Sequence, residues 1–181
     1  MNPAWIGMGS NVGSAGPVLS HAAKLLSGLD QTWVRALSPV YRTRPWGGVE
    51  QPDFLNAAAE LTTDLSPSSL LVGLLEIERQ LGRNRNGPRW GPREIDLDLL
   101  VYAGQVIDQP DLVVPHPHLH ERAFVLVPLN DISPSLVVPG HGRVDDLLAA
   151  LDPAERDGVR MATTSPVDWP ASRRESRREP T

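Results

Sequence analysis

Cysteine is absent from this 181-residue chain, which excludes a disulfide framework and any thiolate metal site. Lysine is nearly absent: Lys24 is the only one among 17 basic residues, and the rest are arginine. A P-loop needs Gly-Lys-Ser/Thr after its glycines, so that phosphate-binding architecture is excluded too. We attach the arginine bias itself to overall composition rather than to function. No apolar run approaches the roughly 20 residues needed to cross a bilayer. The opening MNPAWIGMGSN lacks a basic stretch followed by an apolar segment, so the expectation is a cytoplasmic protein without a secretory signal. Positive charge is in deficit, with a formal net charge of −5. That argues against nucleic-acid binding through a general basic field.

What remains is an ordinary soluble composition, 40% hydrophobic and 22% charged. The length suits one domain with a substantial core, and two would be cramped. We expect that domain to span residues 1–160, with 161–181, which ends SRRESRREPT, as a disordered polar tail.

Residues 3–8 read as a strand and 9–13 as a turn-rich loop. A helix follows from Pro17, with Val18, Ala22, Leu25 and Leu29 at helical spacing and Gly28 as a stop. Residues 31–37 form a second strand. Residues 38–53 hold three prolines and two glycines, too broken for regular structure, and read as a long functional loop. A third strand covers residues 54–63. Ser66-Pro67 then cap a helix whose face is Leu70, Leu74, Ile77 and Leu81, ended by Gly82. Residues 83–93 form a second irregular loop, with four arginines in eleven residues. A strand over 94–102 follows, then an extended segment at 112–115 and the cluster His116-Pro-His-Leu-His-Glu-Arg122. Residues 123–132 form a helix against the preference of Pro128, and 144–151 a last short one. The order β-α-β-β-α-β describes an α+β, ferredoxin-like sandwich: a mainly antiparallel sheet with helices on one face.

Asp96 and Asp98 interrupt an apolar strand at a spacing of two, so both carboxylates project from one face. Burying like charges side by side is costly unless something positive lies between them. One answer is a buried ion network with nearby arginines. The other is a hard divalent cation, which takes carboxylate, water and phosphate oxygens, with the arginine loop neutralising the phosphates. The strongly apolar strand and the four adjacent arginines favour the second. Trp90 among those arginines would suit stacking on RNA bases. A mobile lid over a small anionic substrate fits the acidic balance better.

His116, His118 and His120 alternate, as zinc ligands on a strand would. Pro115 and Pro117 disturb that geometry, and a histidine donating to phosphate beside Arg122 is the preferred reading. Phe54 and Asn56 also alternate, an aromatic face beside an amide, which suits a flat heterocycle read at its edge. A core phenylalanine and a turn-capping asparagine would look the same.

Several stretches occur in a fixed order over about residues 4–140: Gly9-Ser10-Asn11, Tyr41-Arg42-Thr43, Gln51-Pro-Asp-Phe-Leu-Asn56 and Gly82-Arg83. They continue with Arg89-Trp-Gly-Pro-Arg93, Asp96-Leu-Asp98, and Pro115-His116 through Glu121-Arg122-Ala123-Phe124. Together they resemble the 6-hydroxymethyl-7,8-dihydropterin pyrophosphokinase family. The resemblance implies transfer of the β,γ-diphosphate of ATP to the pterin hydroxymethyl oxygen, releasing AMP, in folate biosynthesis. It implies that Asp96 and Asp98 hold two Mg²⁺ ions and act with Arg83 and Arg93 in catalysis. Phe54 and Phe124 would sandwich the pterin. Asn56, with groups around Thr43, Pro45 and Trp46, would read its amide edge, and Trp90 would close over it. Glu78, Arg83, Arg85, Trp90, Arg93, Leu99, His116 and Arg122 would contact ATP. The implied partners are these small molecules, with no nucleic acid and no membrane, for a monomeric chain. Arg44 and Trp46 stand where the family more often has smaller or apolar residues. Asp111 and Val113 stand where some members offer a basic residue and a hydroxyl.

Two rival readings start from the same residues. A nucleotidyltransferase of the Gly-Ser plus Asp-x-Asp type keeps its motifs on one strand-helix unit, whereas Ser10 and Asp96 are 86 positions apart. A non-catalytic pterin- or RNA-binding module has no need for the aspartate pair.

Overall fold

Strand β1 (Asn2–Ser10) sorts its side chains onto two faces: Ala4, Ile6 and Met8 enter one core and Trp5 another. The structure is a computed structural model and describes residues 1–45, 50–84 and 91–163. After β1 come α1 (Ala15–Ser27), β2 (Thr32–Leu37), β3 (Val40–Thr43), β4 (Phe54–Thr63), α2 (Pro67–Gln80) and β5 (Asp96–Tyr102). Every pairing in the main sheet is antiparallel. β1 lies between β4 and β5, and β2 and β3 pair with successive halves of the far edge of β4. This is the expected ferredoxin-like βαββαβ arrangement, with β3 added.

β3 corrects the reading of residues 38–53 as one loop. Its four residues lie between Pro39 and Pro45, too few for alternation to be recognised, yet Tyr41 pairs with Asn56 and Thr43 with Phe54. β1 also runs on through Gly9 and Ser10, which the sequence suggested as loop.

Helices α1 and α2 cover the first face. Leu19, Leu26, Leu70, Leu74 and Ile77 are buried against Ile6, Leu61, Leu97 and Leu99. The Ser66 hydroxyl caps α2 by accepting from the Ser69 amide at 3.1 Å, with Pro67 in the first turn. Past the end of that helix Gly82 sits at φ +85°, a conformation that glycine adopts without strain.

The chain next forms a small hairpin, β6 (Ile107–Gln109) with β7 (Leu112–Val114), and then α3 (Ala123–Ile132). A second hairpin, β8 (Val137–Val138) with β9 (Gly142–Arg143), leads to α4 (Val144–Ala150), α5 (Pro153–Asp157) and β10 (Arg160–Thr163). Leu126 and Leu129 of α3 and Val144 of α4 pack on Trp5, Ala58, Leu100 and Val101. Helices therefore lie on both faces of the sheet, not on one as expected. A bulge opposite Trp5 and Ile6 turns both Leu100 and Val101 to this second core. Such an apolar row must be covered. That packing outweighs Pro128, which is buried inside α3.

β10 moves the expected boundary at residue 160. Residues 160–163 pair with β3 although all four are exposed, so backbone hydrogen bonds rather than burial hold them. The remainder of the expected tail, residues 164–181, lies outside the described residues. No described helix is long and apolar enough to cross a membrane.

Candidate active site

Helices α3 and α4 leave part of the second face uncovered. There the strand register places Asn56, Gly9 and Asp96 in one row and Ala58, Gly7 and Asp98 in the next. Residues paired across a sheet share a face, so Asn56, Asp96 and Asp98 rise from a common floor. The intervening glycines keep that floor hollow. A Cβ on Gly9 would come within 3.0 Å of Asn56 Oδ1, and one on Gly7 within 3.4 Å of Leu100 Cδ2. Two strand spacings, about 10 Å, separate the amide from the first carboxylate. The resulting cavity has a volume of about 280 Å³, and its walls include Thr43, Arg44, Phe54, Arg93, His116, His118, Arg122 and Phe124. Both phenylalanines of the chain are in this one pocket.

The aspartates have unequal surroundings. Asp96 is paired with Arg83, whose Nη2 lies 3.1 Å from Oδ1, and with Arg93. Asp98 is pushed up to about pKa 7, first by burial and then by the charges of Asp96 and Glu78. Arg93 and Arg122 pull the other way without offsetting this. The protein's own arginines thus balance one carboxylate and leave its neighbour half-protonated near neutrality. In the same pocket, burial and then the Arg122 charge push His116 down to about 4. Its Nδ1 accepts from the His118 amide at 3.2 Å, so a neutral ring keeps its N–H at Nε2. The His116 backbone N–H donates to the Leu100 carbonyl at 2.8 Å, fixing the residue beside β5.

Two loops meet at the end of β1, and Ser10 and Asn11 join them. Ser10 Oγ donates to the Glu94 carbonyl at 2.6 Å. Asn11 Nδ2 donates to Gln51 Oε1 and to the Pro52 carbonyl, both at 3.0 Å. Its Oδ1 accepts from the Arg93 amide at 2.7 Å, and its own amide donates to the Arg93 carbonyl at 3.0 Å. One side chain, only 5% exposed, therefore holds the approach to Phe54 and the approach to Asp96 together. Replacing it leaves buried partners unpaired, at about 1–3 kcal/mol. Asn11→Ala is expected to lower Tm and to reduce kcat/KM about tenfold. Thermal melts and steady-state kinetics on the same preparation check both.

The family profile described as 7,8-dihydro-6-hydroxymethylpterin-pyrophosphokinase matches residues 5–134, the stretch that supplies the floor and all of these walls. The chain belongs to that family. It is 47% identical over 154 residues to the 2-amino-4-hydroxy-6-hydroxymethyldihydropteridine pyrophosphokinase of Methylorubrum extorquens, covering 85% of this chain and 96% of that one. The enzyme of the same name from Pseudomonas aeruginosa is 42% identical over 146 residues, or 81% and 90% of the two chains. Among solved structures, wild-type HPPK-DHPS of Plasmodium falciparum with pteroate superposes with a TM-score of 0.66 at 14% identity. That match covers 82% of this chain and 44% of the longer one, and supports the shared fold.

Within this pyrophosphokinase fold, the site residues expected from sequence separate into three groups. Thr43, Phe54, Asn56, Arg93, Asp96, Asp98, His116, Arg122 and Phe124 come together around the pocket. Glu78, Leu99, Arg83 and Pro45 do not line it. Glu78 is 2% exposed beneath the sheet, where Oε1 accepts from the Leu97 amide at 2.8 Å, and Leu99 is in the first core. Alternation along β5 sends Leu97 and Leu99 away from the two aspartates, to the face covered by α1 and α2, and Glu78 belongs to α2. Arg83 reaches the Asp96 carboxylate beside the pocket, with Nη1 donating to the Ile95 carbonyl at 2.7 Å. Trp46, Arg85 and Trp90 lie outside the described residues.

Among the described residues, His116, His118 and His120 do not converge on a common metal position. His118 pairs with Glu121, and His120 stacks on His141 with ring centroids 3.9 Å apart. Missed from sequence were the hollowing role of Gly7 and Gly9, Arg44 in the wall, and the stapling role of Asn11. The signal for the first was available: two glycines at a spacing of two in an otherwise apolar strand.

Proposed function

We propose that this protein binds a reduced 6-hydroxymethylpterin and ATP on the uncovered face of its sheet. It transfers the terminal diphosphate of ATP to the pterin hydroxymethyl oxygen, leaving AMP, as a step in folate synthesis. The observation that carries this reading is the common floor: an anchored amide at one end, a carboxylate pair flanked by arginines at the other, with both phenylalanines lining the same pocket. A pterin bicycle spans that interval. With its edge on Asn56 and its rings between Phe54 and Phe124, its hydroxymethyl arm points toward Asp96 and Asp98. The Asn56 amide is already oriented, because Nδ2 donates to Thr43 Oγ1 at 2.7 Å.

The donor set suits Mg²⁺. Two carboxylates share the floor, and no three His, Cys, Asp or Glu side chains converge on a metal position among the described residues. A hard cation that completes its shell with phosphate oxygens and water fits such a partial site, and zinc held wholly by protein does not. Bound there with the nucleotide, the ion or ions would neutralise the triphosphate and polarise the transferred group. The chain's own groups do the rest. Arg93 and Arg122 offer guanidinium donors to non-bridging oxygens, and the neutral His116 offers its Nε2–H. Little covalent work falls to the protein, so rate comes from in-line placement and charge neutralisation. A single compact chain of this kind is proposed to act as a monomer.

Incubation with ATP, Mg²⁺ and 6-hydroxymethyl-7,8-dihydropterin tests the reading. AMP is expected only when all three are present, and chelation with EDTA should stop its formation. AMP release that does not depend on the pterin would overturn it.

A further inference from the structure

Tyr41 belongs to the Tyr-Arg-Thr run of the sequence but has no part in the pocket lining. Along β3, Tyr41 and Thr43 share a face, being two residues apart. At the pocket end of this pair, Thr43 orients Asn56. At the other, the Tyr41 hydroxyl donates to Asp131 Oδ2 at 2.6 Å. Asp131 lies seven residues after Phe124 in α3, two helical turns along the same stripe. One hydrogen bond therefore couples the strand that orients the amide to the helix whose Phe124 lines the same pocket.

Helix α3 needs such an anchor. It has no side-chain N-cap, no acidic residue in its first turn and no basic residue in its last. Pro128 also lacks the N–H that would bind the carbonyl of Phe124, four residues earlier. The first turn, where Phe124 and Val125 line the pocket, thus receives less support from its own helix than usual. The tie itself is protected: Tyr41 is 6% exposed, and burial beside Asp131 raises its hydroxyl to about 12, so it remains a donor. A second tie holds the same C-terminal end of α3, two residues further on, at its C-cap Ser133. Trp5 Nε1 donates to Ser133 Oγ at 2.8 Å, and Ser133 Oγ donates to Glu60 Oε2 at 3.0 Å. That tie lies over the second core, away from the Thr43–Asn56 edge.

We propose that Tyr41 and Asp131 are positioning residues for the heterocycle: their hydrogen bond sets the gap between the Thr43–Asn56 edge and the Phe124 ring. The inference rests on the pterin reading above. It assigns Tyr41 a role in selecting a flat ring of fixed thickness rather than in binding nucleotide or in chemistry.

The test uses the full chain with saturating Mg²⁺ and a non-hydrolysable ATP analogue, and calorimetric titration of 6-hydroxymethyl-7,8-dihydropterin. Tyr41→Phe and Asp131→Ala should each weaken pterin binding about tenfold, with the double variant no worse than either single one. Asp131→Asn keeps an acceptor oxygen and should restore most of the affinity. Affinity for the ATP analogue should stay within about twofold throughout. Ser133→Ala, which cuts the other tie, should lower Tm yet leave pterin affinity within about twofold. Unchanged pterin affinity in Tyr41→Phe, or equal loss of both ligands, would overturn the inference. If the unmodified protein binds no pterin, the functional reading itself fails and the inference falls with it.

Discussion

Asp98→Asn is expected to abolish turnover, by about a thousandfold or more in kcat, while making the unliganded protein more stable. The substitution keeps the shape of the side chain and removes its charge. A neutral amide offers a divalent cation far less than an anionic oxygen does, so the loss falls on the chemical step. The stability gain follows from the same burial. In the folded chain the carboxyl titrates at about 7, against about 3.9 for an unperturbed aspartate. Between these values the folded state holds a proton that the unfolded state has released. Stability therefore falls as pH rises from about 4 to 7 and then levels off. The asparagine variant lacks this penalty. At pH 8 its Tm should exceed that of the unmodified protein by about 5 °C, and the difference should shrink towards pH 4. Adding Mg²⁺ with a non-hydrolysable ATP analogue should reverse the order, because the aspartate form gains more from the cation. A variant less stable at every pH would show that Asp98 is structural and that its charge is already compensated.

Arg93→Ala should lower kcat about a hundredfold while changing pterin affinity by no more than about threefold. The loop connection of this residue runs through its backbone, whose N–H and carbonyl both bind Asn11. Alanine retains both bonds, so truncation isolates the guanidinium. That group contacts Asp96, about two strand spacings from the amide that would hold the pterin. Its loss should therefore be felt where charge develops on the phosphates. Single-turnover rates and pterin titrations on the same variant separate the two effects. Equal loss in both would mean that Arg93 only shapes the loop.

The sequence disclosed the chemistry better than the architecture around it. Asp96 and Asp98 could be found because a charged pair at period two is out of place in an apolar strand. Their setting supplies half of the missing positive partner from Arg83 and Arg93. Phe54 and Asn56 were legible for a related reason, since strand alternation fixes which residues share a face. β4 shows the same periodicity and was read to its ends. β3 was hidden by its length and by the prolines on either side. β10 was hidden because nothing in it is buried: edge pairing uses backbone groups that every residue carries, so composition has no signal to give. Glu78 and Leu99 illustrate a further limit. Resemblance implies contact with ATP for both; in the fold the Leu99 side chain enters the first core and Glu78 accepts from the Leu97 amide. Tyr41 and Asp131 are 90 positions apart, and only the folded chain brings them together.

The central claim is that this face of the sheet transfers a diphosphate rather than a single phosphoryl group. A ³¹P NMR spectrum of the reaction with ATP, Mg²⁺ and 6-hydroxymethyl-7,8-dihydropterin tests it most directly. The account predicts the resonances of AMP and of a pterin diphosphate, growing in equal amounts. ADP with a pterin monophosphate, or free pyrophosphate with an adenylylated pterin, would contradict it.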